Sequence, residues 1–317
     1  MPRHEPASPL RVPPGHLIAV VGATATGKTA AGITVARAVG GEVVGADSRQ
    51  VYAGMAIGTA QPASDDLAAT PHHLIGFLPP GAPFGLAQYL DFAHDAIARI
   101  EARGRVPVIV GGTGQYVWAL LERWTVPRVP PDHALRARYA ALAETQGAGA
   151  LHALLAARDP AAALRIHPNN VRRVIRALEV AEHSGQPISE LQRRRPVRNA
   201  TVIGLRLPRT QLYARIDERV RRMFREGLVE EVERLRAQGY RRDLPSMHSI
   251  GYPEVWALIE GELTLDQAIV RVQQATHRLA RQQQTWFRPN DPRIHWVDAA
   301  GDVEEQLLAL LREQFGC

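Results

Sequence analysis

The sequence predicts an α/β protein whose core is a parallel sheet flanked by helices, interrupted by a mostly α-helical insertion. Three observations support this class. Short apolar runs, such as Leu17–Val21 and Arg105–Val110, alternate with amphipathic helical patterns, as βαβ units require. A glycine-rich turn joins the first of these runs to its helix. Beyond Pro127 helical periodicity dominates, until a strand pattern returns at Thr201–Leu207.

The first strand and helix enclose a phosphate-binding motif. Residues 22–29 read Gly-Ala-Thr-Ala-Thr-Gly-Lys-Thr and fit G-x-x-x-x-G-K-[ST], between the strand Leu17–Val21 and the helix Ala30–Val39. In a P-loop NTPase-like core the N–H groups of this loop and of the helix N-terminus bind phosphate oxygens. We expect Lys28 to reach the outer phosphates and Thr29 to hold Mg²⁺. The predicted phosphate-binding residues are Gly22, Ala23, Thr24, Ala25, Thr26, Gly27, Lys28 and Thr29.

Lys28 is the only lysine among the 38 lysine and arginine residues of the chain. A compact ammonium on a flexible stem fits the bottom of a tight loop, where a planar guanidinium does not. Because an arginine-rich sequence has kept its one lysine in this motif, phosphate binding is favoured over a purely structural glycine turn.

Composition narrows the class of protein. The chain has 317 residues and one cysteine, Cys317, which excludes a disulfide framework and a cysteine zinc site and favours the cytoplasm. No apolar run reaches the length of a membrane span, and the first fifteen residues lack the apolar segment of a signal peptide. We predict a flexible tail at residues 1–15, a core built from 16–126 and 200–317, and a helical insertion at 127–199.

Two further strands end in residues that can carry chemistry. The strand Glu42–Ala46 leads into Asp47, which we expect in the crevice at the carboxyl edge of the sheet. There it can be a general base or a Mg²⁺ partner, although Asp-Ser is equally common turn chemistry. The strand Arg105–Val110 runs into Gly111–Gly114, where a Walker B strand usually ends in an acid, so an ordinary ATPase is disfavoured. Thr113 can cap the next helix or contact substrate.

Positive charge is concentrated in the second half of the chain. Residues 165–225 hold fifteen arginines and five acidic residues, whereas residues 1–110 are balanced. This excess suggests a polyanionic partner such as nucleic acid, although a solvated surface of arginine-rich helices explains it equally well. On the helix Asn170–Ser184 the arginines Arg172, Arg173 and Arg176 fall mainly outside the apolar face and can reach a phosphate backbone.

The remaining pattern returns to the core. On the helix Arg209–Arg225, Arg215 and Arg219 lie one turn apart, where they can close over a diphosphate or form a solvated face paired with Asp217 and Glu218. The other predicted elements are the glycine-marked loop Ser246–Tyr252, a long helix Thr264–Arg288 that opens with a capping box, a strand Ile294–Val297 and a helix Val303–Phe315.

Taken in order, these segments resemble the tRNA isopentenyltransferase family. The most specific matches are Asp-Ser-x-Gln-Val-Tyr at 47–52, Ile-Gly-Thr-Ala at 57–60 and Thr-Trp-Phe-Arg at 285–288. The resemblance covers nearly the whole chain beyond its first residues. The matching segments are Gly22–Thr29, Asp47–Pro62, Pro71–Ile75, Gly111–Tyr116, Asn170–Val180, Ser249–Glu254 and Thr276–Arg288.

The resemblance implies an activity and a set of site residues. It implies transfer of a dimethylallyl group from dimethylallyl diphosphate, held with Mg²⁺, to the N6 amine of the adenosine just 3′ of the anticodon of tRNA. It implies catalytic roles for Asp47, as general base, and for Lys28, Thr113 and Arg219, and it puts Arg215 and Arg219 on the diphosphate. It assigns tRNA contacts to Asp47, Ser48, Arg49, Gln50, Thr113, Arg136, Arg172, Arg173, Arg176, His248, Ser249, Ile250, Gly251 and Tyr252. The insertion would bind the anticodon stem-loop, and we expect a monomer.

Several positions depart from the family pattern. Gln61 stands where lysine is usual, and Gly76 stands where an aspartate usually follows His-His-Leu-Ile. His277 and Gln282 occupy positions that are often arginine, and Ala23 and Thr26 replace proline and serine in the phosphate loop. We expect these changes to bear on affinity and on some metal or phosphate contacts, but not on the reaction class.

Two other functions compete with this interpretation. A P-loop kinase for a small metabolite or nucleoside, with Asp47 activating a hydroxyl, leaves the arginine-rich segment without a purpose. A non-catalytic RNA-binding NTPase switch explains the charge, but it predicts a Walker B acid that the sequence lacks.

Overall fold

The computed structural model describes residues 9–193, 195 and 199–316. The chain divides into two compact units, one formed by residues 1–121 and 198–317 and the other by residues 122–197. The first is an α/β core and the second is helical, so the predicted fold class is confirmed.

Within the described residues, six parallel strands form one sheet in the order β3-β2-β4-β1-β5-β6. The strands are β1 (Leu17–Gly22), β2 (Gly41–Gly45), β3 (His72–His73), β4 (Val106–Val110), β5 (Ala200–Arg206) and β6 (Ile294–Asp298). In the register Val110 pairs with both Gly45 and Val20, so β1, β2 and β4 end at the same edge. The segments that follow these three strands therefore meet at one crevice, as in other open parallel sheets.

Helices cover the sheet and build the insertion. In chain order they are α1 (Lys28–Val39), α2 (Ser64–Ala69), α3 (Leu86–Ala102), α4 (Gly114–Leu121), α5 (His133–Gln146), α6 (Ala148–Arg158), α7 (Pro160–Ala163), α8 (Val171–Ser184), α9 (Ile188–Leu191), α10 (Arg209–Arg225), α11 (Leu228–Ala237), α12 (Tyr252–Ile259), α13 (Leu265–Trp286) and α14 (Val303–Phe315). The predicted capping box of α13 is present, because Thr264 and Gln267 exchange side-chain-to-backbone hydrogen bonds. The short elements α2 and β3 escape prediction, since neither is long enough to show a period.

The prediction of a flexible tail over residues 1–15 is wrong from residue 9 onwards. Leu10 and Val12 pack against the core that β1 and α1 build, and the Leu10 N–H donates to the Ala38 carbonyl at 2.9 Å. The two apolar side chains between Pro9 and Pro13, with this hydrogen bond, hold the segment against the core. Residues 1–8 lie outside the described part of the chain.

The helical unit has an apolar core of its own. Leu151 and Leu155 of α6 and Val174 and Leu178 of α8 are fully buried in it. Its two ends pair through backbone hydrogen bonds, Thr125 N–H to Arg193 carbonyl (2.9 Å) and Arg195 N–H to Glu122 carbonyl (2.9 Å). This pairing explains why the unit begins at residue 122 and not at the predicted 127. Arg194 and residues 196–198 of the predicted basic loop, and Cys317, lie outside the described residues.

No helix in the described ranges is long and apolar enough to cross a membrane.

Candidate active site

A cavity of about 760 Å³ opens at the shared carboxyl edge of β1, β2 and β4. The phosphate loop, the turn 47–50 and the glycine turn 111–114 contribute polar groups to its lining. The core helices contribute charged side chains, such as Arg219, and apolar ones, among them Val220, Met223, Leu228, Val272 and Leu279. A ligand with a charged head and a short apolar chain matches this mixed lining.

Lys28 lies at the start of α1 and its amine points into the loop. The ammonium donates to the Ala23 carbonyl at 2.7 Å, and the Thr26 hydroxyl donates to the same oxygen at 2.9 Å. The departures from proline and serine at these two positions therefore leave the loop closed on itself. Burial lowers the pKa of Lys28 to about 8, while Asp47 opposes the shift and Arg219 adds to it. An anion in the cavity would restore the charge of this amine.

Arg219 of α10 reaches across the cavity to the phosphate loop. Its guanidinium donates to the Thr24 hydroxyl at 2.5 Å, and its Nε is buried without a hydrogen-bond partner among the described residues. Burial lowers the pKa of Arg219 to about 10, and Arg222 adds to the shift. A buried donor without an acceptor is costly, and a bound diphosphate oxygen would supply one.

The alternative role for this helix face, a solvated row of ion pairs, does not hold for Arg219. Glu218 pairs with Arg225 at 2.8 Å, and Asp217 lies 2.9 Å from His277. Arg215 lines the cavity but is exposed, and it donates to the Ala299 carbonyl at 3.1 Å.

Asp47 stands in a turn that borders the cavity, a position compatible with the turn cap and with the general base or Mg²⁺ partner that the sequence predicts. Its Oδ1 accepts the Arg49 N–H at 2.9 Å, which forms the expected turn, and the residue also lines the cavity. Thr113 holds this turn from the glycine turn that follows β4, because its hydroxyl accepts the Ser48 N–H at 3.0 Å. The hydroxyl of Thr113 thus contacts Ser48, and the described residues show no hydrogen bond between it and the N-terminus of α4.

The missing Walker B acid has a steric explanation. A Cβ added to Gly111, the first residue after β4, would lie 2.1 Å from the Ala46 carbonyl oxygen. Any side chain there would push β2 and β4 apart. The absence of an acid thus follows from the close approach of the two strand ends that brings Asp47 and Thr113 together.

The predicted Mg²⁺ has few protein ligands to choose from. The described residues contain no group of three or more His, Cys, Asp or Glu side chains that could hold a metal. Thr29 and Asp47 line the same cavity and offer a hydroxyl and a carboxylate. Mg²⁺ usually keeps several waters and binds through one or two protein groups plus substrate phosphates, so this donor set fits an ion that binds together with a diphosphate.

Most residues predicted to contact tRNA in the core line the cavity: Ser48, Arg49, Gln50, His248, Ser249, Ile250 and Gly251. Tyr252 does not, because it is fully buried and its hydroxyl donates to Glu231 at 2.7 Å. Gly22, Ala23 and Thr26 lie on the other side of the phosphate loop, against a second cavity of about 50 Å³.

In the helical unit, two of the four arginines predicted to bind tRNA are paired with a buried carboxylate. Arg136 makes a bidentate contact with the buried carboxylate of Glu179 (2.7 and 2.9 Å), and Arg176 binds the same carboxylate at 2.5 Å. Although burial favours the neutral acid, these hydrogen bonds and one from the Asp132 N–H lower the pKa of Glu179 to about 2. Arg172 and Arg173 are exposed and form no ion pair with a described residue.

Two buried polar side chains near the cavity are not predicted from the sequence. Gln283 of α13 bonds to both the phosphate loop and the glycine turn, and Glu231 of α11 bonds to the backbone at Ile57 and Gly58. Each sits on the apolar face of an amphipathic helix, at a position where the periodicity calls for a hydrophobic residue. A polar residue on an apolar helix face is the sequence signal that could have identified them, because a buried polar group needs hydrogen-bond partners.

The chain is similar to known proteins over most of its length. A family model described as IPP transferase matches residues 50–290, and one described as isopentenyl transferase matches residues 15–75. A tRNA dimethylallyltransferase of Roseiflexus sp. (strain RS-1) is 51% identical over 299 residues, which cover 94% of this chain and 98% of that protein.

Solved structures give the same picture. The crystal structure of a full-length tRNA isopentenylpyrophosphate transferase from Bacillus halodurans is 39% identical, with a TM-score of 0.70 over 95% of this chain and 96% of the other. A eukaryotic dimethylallyltransferase acting on tRNA has a TM-score of 0.76 at 25% identity, over 90% of this chain and 74% of the other.

Proposed function

The chain belongs to the IPP transferase family, and we propose that it transfers the dimethylallyl group of dimethylallyl diphosphate to the N6 amine of the adenosine 3′-adjacent to the anticodon in tRNA. The products are N6-(dimethylallyl)adenosine and diphosphate. One observation carries the proposal beyond the family match: a single cavity is lined by two partly buried cations, Lys28 and Arg219, and by the carboxylate of Asp47.

The two cations suit the leaving group. When the allylic C–O bond breaks, its electron pair stays on the diphosphate, and Lys28 and Arg219 would stabilise the added charge in a site where water screens little. A bound Mg²⁺, held by Thr29 with the diphosphate, would supply further charge neutralisation. The apolar wall formed by residues such as Val220 and Met223 would hold the five-carbon chain and keep water from the allylic carbon.

Asp47 suits the acceptor. The adenine N6 amine forms the new C–N bond and must lose a proton, which Asp47 would accept as general base. Its Oδ1 is fixed by the Arg49 N–H, which holds the carboxylate in place for this step. The adenine must leave its stack to reach the cavity, at a cost of about a few kcal/mol that is smallest in a single-stranded loop.

RNA binding would be shared between two surfaces. In the core, Arg49, Gln50 and residues 248–251, which line the cavity, would contact the loop around the target base. In the helical unit, Arg172 and Arg173 would bind phosphates of the anticodon stem-loop. The expected cytoplasmic location and monomeric state go with this substrate and remain predictions, as does the use of Mg²⁺.

A transfer assay tests the proposal. The protein is incubated with tRNA, labelled dimethylallyl diphosphate and Mg²⁺, and label is measured in the RNA. We expect transfer by the wild type and, for Asp47→Asn, a loss of about 100-fold or more at unchanged tRNA affinity, because the amide keeps the acceptor for Arg49 but takes no proton. Consumption of ATP or GTP with no labelled RNA would instead favour a kinase or an NTPase switch.

A further inference from the structure

We propose that Gln283 is a positioning residue that fixes the phosphate loop relative to the turn carrying Asp47. This assignment rests on the transfer reaction proposed above. Gln283 is uncharged and only 7% exposed. It lies near the end of the long helix α13 and lines the cavity. Its amide is the point where three separate segments of the core meet.

Both ends of the Gln283 amide are used. Its Oε1 accepts the Thr24 N–H of the phosphate loop at 2.7 Å, and its Nε2 donates to the Gly112 carbonyl of the glycine turn at 3.1 Å. The two partners fix the orientation of the amide, because a flipped group would face a donor with a donor and an acceptor with an acceptor. The packing is equally tight, since a Cβ on Gly112 would lie 2.3 Å from Nε2.

On the leaving-group side, Gln283 determines what the phosphate loop can offer. The Thr24 N–H is bound to Gln283 and is not free for a phosphate oxygen, while the Thr24 hydroxyl accepts from Arg219. The phosphate cradle is therefore left to the N–H groups that follow Thr24 and to Lys28. Gln283 thus sets where along the loop the diphosphate binds.

On the acceptor side, the hydrogen bond from Gln283 to Gly112 leads on to the turn that carries Asp47, the proposed general base. Gly112 precedes Thr113, whose hydroxyl accepts the Ser48 N–H, and Ser48 is the neighbour of Asp47. One row of hydrogen bonds therefore links the loop that holds the leaving group to the turn that accepts the proton. Group transfer needs the diphosphate oxygen, the allylic carbon and N6 in line, and a misplacement of about 1 Å can cost about 100-fold in rate.

The test compares Gln283→Met, which keeps length and volume but has no amide, with Gln284→Met on the same helix as a matched control. Gln284 is exposed and forms no hydrogen bond with a described residue. We expect Q283M to lower kcat by about 10- to 100-fold and to weaken binding of Mg²⁺–pyrophosphate relative to Q284M, at similar tRNA affinity. Its Tm should be lower than that of Q284M, because the Thr24 N–H and the Gly112 carbonyl lose their buried partner. Equal kcat and equal pyrophosphate affinity in the two variants would overturn the proposal.

A second variant covers the case in which Q283M does not fold. Gln283→Glu keeps an acceptor for Thr24 but has no donor for Gly112, so a positioning role predicts a lower kcat at saturating dimethylallyl diphosphate. An effect of its added charge alone would appear in KM with kcat unchanged, and that result would also overturn the proposal. The pyrophosphate measurement separates this inference from the reaction itself: a wild type that binds pyrophosphate better than Q283M does, yet transfers no label, refutes only the proposed function.

A double-mutant cycle adds a readout that a local packing role would not change. If Gln283 and Thr113 act through one row of hydrogen bonds, the losses in kcat caused by Q283M and Thr113→Val do not multiply in the double variant. Losses that multiply would show that the two residues act independently and would contradict the proposed link.

Discussion

The pKa of Lys28 lies near the pH at which enzymes are usually assayed, so its charge state should affect ligand binding. Burial lowers its pKa from 10.5 to about 8, so the free protein loses the ammonium above that pH. Because the unfolded chain keeps this proton up to about 10.5, the free protein becomes more stable between those two values as the pH rises. A bound diphosphate would oppose this shift, because its negative charge favours the ammonium.

We therefore predict that affinity for dimethylallyl diphosphate falls as the pH rises above about 8. The terminal phosphate is already ionised there, since its second pKa is about 6, so the change reports the protein. The dependence is measured as Kd or KM between pH 7 and 9.5 in Mg²⁺. Lys28→Arg, which stays charged, is expected to bind more weakly at every pH but without this decline. Parallel profiles for the two proteins would remove Lys28 as its origin.

Gln61 and Gly76, two departures from the family pattern, prove to be neighbours. The Gln61 amide donates to the carbonyls of Gln50 (3.0 Å) and Tyr52 (2.8 Å), and its oxygen lies 3.1 Å from where a Cβ on Gly76 would be. Gly76 also has a φ of 57°, which glycine adopts without strain. The usual lysine and aspartate are thus replaced together, one by a neutral donor and the other by no side chain.

This proximity predicts that the two positions are coupled. Gly76→Asp alone places a carboxylate against the Gln61 oxygen and should destabilise the fold by about 1–3 kcal/mol. Gln61→Lys/Gly76→Asp restores opposite charges, so we expect a favourable coupling of about 0.5–3 kcal/mol in a double-mutant cycle measured by urea unfolding. Additive effects of the two substitutions would show that the positions do not interact.

Helix α11 contributes one buried carboxylate that organises two loops of the cavity. Glu231 is 1% exposed and accepts the N–H groups of Ile57 and Gly58, each at 2.9 Å, as well as the Tyr252 hydroxyl. No cation among the described residues forms an ion pair with it. Burial and the carboxylate raise the pKa of Tyr252, so the phenol stays protonated and donates. The loops that flank these contacts, 58–60 and 249–251, line the cavity.

Glu231→Gln is predicted to destabilise the protein by about 1–3 kcal/mol, because one of the three donors then faces an amide N–H₂ in a buried site. We also expect a higher KM, since both loops lose their anchor. Urea unfolding and steady-state kinetics measure the two effects. Glu233→Gln, an exposed neighbour on the same helix, is the control. An E231Q protein as stable as this control would mean that solvent or rearrangement satisfies the lost contacts.

The long helices, and the polar residues that follow the buried strands, could be predicted from the sequence. The helix Arg209–Arg225 and the helix Val303–Phe315 were predicted with the bounds they have, because each shows a sustained period and a clear start and stop. The phosphate loop and Asp47 follow from their places after buried strands. The roles of Gln283, Glu231 and Arg176 could not be predicted, because each depends on a partner far away in the sequence that only packing identifies.

At the scale of the whole molecule, the arginines fall into two groups, those paired with acidic side chains and those that are exposed and unpaired. The helical unit contains twelve arginines and seven acidic residues. Arg136 and Arg176 neutralise the buried Glu179, and Arg138 and Arg158 pair with Glu182. Net charge therefore overstates what is available to a polyanion. Of the arginines predicted to bind tRNA in this unit, the exposed and unpaired ones, Arg172 and Arg173, follow directly after the N-cap residue Asn170 and Val171 of α8.

These two residues make the last prediction. Each phosphate that an arginine neutralises adds about 0.7–0.9 to the slope of log Kd against log salt, because a counterion is released. Arg172→Gln/Arg173→Gln should therefore reduce the slope for tRNA binding by about 1 to 2 and leave Tm unchanged. Arg241→Gln/Arg242→Gln, an adjacent pair that Asp243 and Glu260 already neutralise, should leave the slope as it is. Arg176→Gln should instead lower Tm, since it uncovers Glu179. Were the slope to fall equally in the two double variants, tRNA would be sensing overall charge, and α8 would not be a specific phosphate-binding surface.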